Sequence, residues 1–146
     1  MNKNKNLYTL GICNDETASA CLFQGGKLVG AASEERFSRI KYDNNFPNQS
    51  INFLLKNFNI KLKNINHIAY SWVKGFDPKL KLKYKKRLDE CKKSGKKSLK
   101  IFKERINSEY KQDELKKKEF NKWAKNNLSK NQIKLLKKFY HHESHA

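Results

Sequence analysis

Three of the four histidines of this chain fall within five positions, in Tyr140-His141-His142-Glu143-Ser144-His145. On a helix, His141 and His145 project from one face, close enough for both imidazoles to bind one metal ion. A catalytic divalent site takes at least one further protein ligand, often a carboxylate, and keeps positions open for water or substrate. Read alone, the stretch is either half of a metal site or simply a polar terminus.

A second concentration of charge lies in Ser33-Glu34-Glu35-Arg36-Phe37-Ser38-Arg39-Ile40-Lys41-Tyr42-Asp43. By residue type alone, Glu34, Glu35 and Arg36 read as a surface ion-pair cluster at a strand end, worth a fraction of a kcal/mol in water. Arg39 and Lys41 then read as ordinary loop charges. A third group, Asn14-Asp15-Glu16-Thr17, places two carboxylates in a loop between apolar runs.

The elements that would position these groups follow from the spacing of apolar residues. Residues 7–13, 18–23 and 28–33 are apolar runs of strand length, and Gln24-Gly25-Gly26-Lys27 supplies glycine where a hairpin needs positive φ. The pattern predicts a three-stranded antiparallel meander. Pro47 then opens a helix carrying Ile51, Leu54, Leu55 and Phe58 on one face, and residues 65–72 form a further strand. Strand, hairpin, strand, helix, strand is an α/β order.

From about Gly75 to Lys138 the chain turns Lys-rich and helical, with breaks at Gly95 and at Asn126-Asn127-Leu128-Ser129. Leu99, Phe102, Ile106 and Tyr110 form one apolar stripe, and Phe120, Trp123, Ala124 and Leu128 another. Both are expected to dock helices onto a domain.

Thirty-three Lys and Arg against 14 Asp and Glu give a formal charge of +19 in 146 residues. Such a charge attracts phosphate backbones or anionic lipid. Lys alternating with Asn and Ile is also what an AT-rich coding sequence produces without selection for binding. A small basic nucleic-acid-binding protein is the alternative from another class, although the predominance of Lys, without Arg forks or a stacking platform, argues against base reading. Cys13, Cys21 and Cys91 are odd in number and match no zinc spacing, which fits a reducing cytoplasm. No apolar run approaches the length of a membrane span.

The run from Gly26 through Ser33-Glu34-Glu35-Arg36-Phe37-Ser38-Arg39-Ile40-Lys41 to Phe46-Pro47 closely resembles the O-carbamoyltransferases that modify nodulation factors and antibiotics. Leu10-Gly11-Ile12 with Ala18-Ser19-Ala20 is similar to that family's first strand and hairpin. His141-His142-Glu143-Ser144-His145-Ala146 resembles its His-His-x-x-His-Ala motif. The resemblance implies an α/β first lobe of an actin-like, sugar-kinase-like (ribonuclease H-like) fold. Residues 1–72 would be the lobe, 73–138 a basic helical insertion, and 139–146 the start of the metal-binding motif.

The chemistry it implies is transfer of a carbamoyl group from carbamoyl phosphate, through an ATP-derived carbamoyl-adenylate, to a hydroxyl of a small molecule or saccharide. His141 and His145 match ligands of a divalent metal of Fe(II) type. Lys41 matches a basic residue beside the reacting centre, and Arg36 and Arg39 fall to binding the nucleotide phosphates. Many relatives carry a His-Asp pair before Ala18-Ser19-Ala20; here Glu16 or Asp15 stands there. The expected partners are the hydroxyl acceptor and a second lobe, in cis or in trans, with neither nucleic acid nor membrane. Alone, the 146 residues are expected not to turn over, and an inactive scaffold or partner subunit is a further alternative.

Overall fold

Alternate residues of the first two apolar runs, Leu10 and Ile12, then Ala20 and Leu22, are buried on one side, the period-two pattern of strands with a single covered face. The structure is a computed structural model and describes residues 7–15, 17–71 and 78–138. β1 (Tyr8–Asn14), β2 (Ala18–Gln24) and β3 (Lys27–Ser33) form the antiparallel meander expected from the sequence. Gly25 and Gly26 make its tight turn at φ 56° and 83°, a conformation that glycine adopts without steric cost.

A four-residue helix α1 (Glu35–Ser38) follows, then α2 (Asn48–Asn57), and the chain returns in β4 (His67–Tyr70), parallel to β1. α2 lays Ile51 and Leu54 on the covered face, against the cluster that includes Leu10, Leu22 and Ile68. Each such side chain contributes about 1.5–3 kcal/mol by leaving water. Gly30 is fixed by this packing: a Cβ there would stand 2.7 Å from the Phe58 ring and 2.9 Å from Leu54.

The Lys-rich half forms α3 (Pro78–Lys93) and α4 (Lys96–Asn127), which pack against each other. Gly95 separates them at φ 109°, the break expected there. Leu99, Phe102 and Ile106 are half-buried, whereas Phe120, Trp123, Ala124 and Leu128 enter the sheet's own core. Phe120 stacks on Tyr70 with ring centroids 3.9 Å apart and 16° between planes.

Helical character was expected as far as Lys138. Instead α5 (Lys130–Lys134) is followed by β5 (Leu136–Lys138), which pairs in parallel with β4 and completes a five-stranded sheet of order β3-β2-β1-β4-β5. Gln132 causes the turn back. It closes a capping box with Ser129, and its Nε2 donates to the carbonyls of Leu62 and Ile65 at 2.8 and 3.2 Å. That delivers Leu136–Lys138 to the free edge of β4.

The opposite face of the sheet carries the small residues Gly11, Cys13, Ser19, Cys21, Ala31 and Ala69 around an open cavity of about 630 Å³. Burial pushes the Cys21 thiol above its ordinary pKa, which leaves it protonated and unreactive at neutral pH. None of the three cysteines is disulfide-bonded. Among the described residues no helix is long and apolar enough to cross a membrane.

Candidate functional site at the carboxyl end of β1

Glu34 directly follows β3 and is only 3% exposed, so the surface ion-pair cluster that residue type alone suggests is not what forms. α2 begins after Pro47 with no side-chain cap of its own. Glu34 serves it from a distance: Oε1 accepts from the Gln49 N–H at 3.0 Å, and Oε2 from the Ser50 N–H and hydroxyl, both at 2.8 Å. A carboxylate at a helix N-terminus satisfies orphan donors and meets the positive end of the dipole. No ion pair joins Glu34 or Glu35 to Arg36 among the described residues.

Glu35 points the other way, its Oε2 accepting from the Tyr42 N–H at 3.1 Å. Arg39 ends α1 at φ 62°, and Tyr42 sits at φ 57°. Two bulky residues in the left-handed region mark a loop held by its surroundings rather than by local preference. The loop presents Arg36, Arg39 and Lys41 to solvent, with the Lys41 ammonium 5.1 Å over the Tyr42 ring. The structure thus gathers these three expected residues on one short exposed segment, a cationic surface suited to phosphate oxygens.

Asp43 anchors the segment. Its backbone oxygen accepts from the Ala18 N–H at 2.7 Å, and its Oδ1 accepts from the backbone and side chain of Asn45 at 2.9 and 2.7 Å. The cationic loop is thereby tied to the start of β2, beside the turn that leaves β1. Ligands of α/β sheets bind outside the carboxyl ends of parallel strands, and β1 and β4 both end here.

The Ser38 hydroxyl, followed by the Asn45 backbone N–H, holds the Asp43 carboxyl below the usual carboxylate range. A depressed native pKa means that the stabilisation is present above the unfolded value of about 3.9 and is lost as pH falls through the lower folded value. Amide resonances of residues 38–45 should therefore move together in an acid titration below about pH 4. In Asp43→Asn that step should be gone; if it persists unchanged, another group anchors the loop.

Asn14 is fully buried at the end of β1. Its Oδ1 accepts from the Tyr70 hydroxyl at 2.7 Å, and its Nδ2 donates to Glu119 at 3.3 Å, which joins β1, β4 and α4 at the same end of the sheet. The sequence held a signal for it: Asn14 continues the buried series Leu10, Ile12, where an apolar residue was due. Glu16, His141 and His145 lie outside the described residues. Among the described residues no group of three or more His, Cys, Asp or Glu could hold a metal, so that part of the chain offers no metal centre by itself.

Comparison with known proteins adds the remaining finding. Residues 9–146 match the family model described as carbamoyltransferase N-terminus. The chain is 42% identical over 53 residues to an uncharacterized protein of Synechocystis, an alignment covering 36% of this chain and 9% of that protein. It is 36% identical over 64 residues to an uncharacterized protein of Methanocaldococcus jannaschii, covering 44% of this chain and 12% of that one. It is also 36% identical over 58 residues to the nodulation protein NolNO of Sinorhizobium fredii, covering 40% and 8%. The matched stretches thus span about a tenth of the length of these curated relatives.

Proposed function

Because this chain belongs to the carbamoyltransferase N-terminus family, we propose that it is the first part of an enzyme that moves a carbamoyl group from carbamoyl phosphate, through an ATP-derived carbamoyl-adenylate, to a hydroxyl acceptor. The family match over residues 9–146 is the observation that carries this reading. The antiparallel meander leading into two parallel strands supports a first lobe of the actin-like, sugar-kinase-like kind, with a second lobe supplied in cis or in trans.

In this reading Lys41 faces the reacting centre and stabilises the negative charge that develops on oxygen as the carbonyl is attacked. Arg36 and Arg39 hold nucleotide phosphate oxygens. Glu16, between β1 and β2 in the sequence, takes the proton of the acceptor hydroxyl. His141 and His145 would hold a divalent metal of Fe(II) type, whose contribution is to polarise a carbonyl or phosphoryl oxygen. Glu34 and Glu35 do no chemistry; they fix the loop that carries Lys41.

The test is carbamoyl-phosphate-dependent exchange of pyrophosphate into ATP, measured on the native protein. Lys41→Ala should reduce the exchange by about 10²-fold or more, the size expected when one transition-state donor is removed. Lys63→Ala, at an exposed lysine away from the loop, should leave it unchanged. Exchange that ignores carbamoyl phosphate, or that survives Lys41→Ala, would overturn the assignment.

A further inference from the structure

α4 carries a row of lysines for which the proposed reaction has no use. Positions 96, 100, 104, 107, 111, 114, 118, 122 and 125 follow one another by three or four residues, so they line up along one side of the helix. Six of them are Lys96, Lys100, Lys111, Lys118, Lys122 and Lys125, and all six are exposed. We propose that this row binds the phosphate backbone of a double-stranded nucleic acid without reading its sequence. The binding is independent of the transfer reaction.

Composition alone does not give this placement. An excess of lysine scatters around a helix, whereas the row holds six basic residues against two acidic in nine positions. The other 23 positions of this 32-residue helix hold five against three. One acid of the row, Glu114, already faces the Lys117 ammonium at 3.6 Å. Among the described residues no ion pair engages any of the six lysines. Phe102, Ile106, Phe120 and Ala124, which turn inward, stand on the other side of the helix. The row therefore meets water along its whole length, about 44 Å at 1.5 Å per residue.

Length and density select the partner. A duplex presents one negative charge per about 1.7 Å of its axis, and it stays straight over about 44 Å because its persistence length is about 50 nm. A folded protein surface intersperses both signs over such a distance. Lysine is a point charge without the fork that reads guanine, and the row contains no aromatic residue on which unpaired bases could stack. Backbone contact to a duplex is what remains. A bilayer fits less well, because the apolar side that a membrane-lying helix inserts is packed inside the protein. Ile101 and Leu115, each 58% exposed, stand about 21 Å apart along the axis and make no such side.

The test is fluorescence anisotropy of a labelled mixed-sequence DNA duplex of about 20 base pairs, titrated with the full chain over about 50–300 mM salt. The logarithm of affinity should fall against the logarithm of salt with a slope of about −4 to −5, the counterion release of about five phosphates. Lys100→Glu, Lys111→Glu and Lys118→Glu together should weaken binding about 10²-fold or more and flatten the slope by about 3. The neutral set Lys100→Gln, Lys111→Gln and Lys118→Gln, which keeps helix propensity, should flatten it equally. Lys27→Glu, Lys61→Glu and Lys63→Glu make the same change of charge at exposed lysines of the lobe and should weaken binding less than about threefold, since salt screens distant charges. Equal losses in the two glutamate sets would mean that net charge alone binds, and would overturn the proposal. So would no binding at the lowest salt, or tighter binding to phosphatidylserine vesicles than to the duplex.

Discussion

Glu34→Ala is expected to lower the free energy of unfolding by about 3 kcal/mol, a large effect for a single charged residue. The carboxylate accepts three hydrogen bonds from the start of α2, and a hydrogen bond to a charged group contributes about 1.5–3 kcal/mol net, a value that does not add over bonds sharing one carboxylate. Gln49 is exposed and can turn to water, but Ser50 is fully buried, so its N–H and hydroxyl would be stranded. Glu34→Gln keeps the shape yet turns one acceptor into a donor facing other donors, and should fall between, at about 1–2 kcal/mol. Urea unfolding followed by tryptophan fluorescence measures both. Two variants within about 0.5 kcal/mol of the parent would show that α2 caps itself with solvent and that Glu34 is not its anchor.

Phe120→Ala should cost about 3–5 kcal/mol, the range for deleting a buried aromatic side chain. Phe120 is 1% exposed, stacks on Tyr70 and lies beside Phe46 and Trp123, so its loss opens a cavity where β4, the loop before α2 and α4 meet. Leu115, five residues earlier on the same helix but 58% exposed, should tolerate alanine within about 0.5 kcal/mol. The contrast divides the Lys-rich half into a projecting part and a part integral to the lobe. Equal, small losses at both positions in chemical denaturation would mean that all of α4 is an appendage.

Phe120 belongs to a stripe whose docking role the sequence displayed, whereas Glu34 was displayed without its role. Glu34 sits in a run of charges and looks like surface, because local sequence carries no sign that the first turn of α2, up to Ser50 sixteen positions away, arrives overhead. Asn14 and Glu119 are likewise joined only through space, 105 positions apart. β5 escaped notice because three residues hold no measurable period; pairing with β4 makes them a strand.

What the sequence determined by itself was local and periodic. The alternation in residues 8–14 and 18–24, the Gly25-Gly26 turn, the apolar face of α2, the break at Gly95 and the motif that carries Arg36, Arg39 and Lys41 could all be read from neighbouring residues. Each is set by side-chain period or backbone freedom over a few positions. Tertiary structure alone decided that one of two adjacent glutamates is buried and the other is not, and that the second apolar stripe belongs to the sheet's core while the first does not. Those outcomes depend on which surfaces meet when the chain closes on itself, and burial and hydrogen-bond satisfaction are settled only at that point.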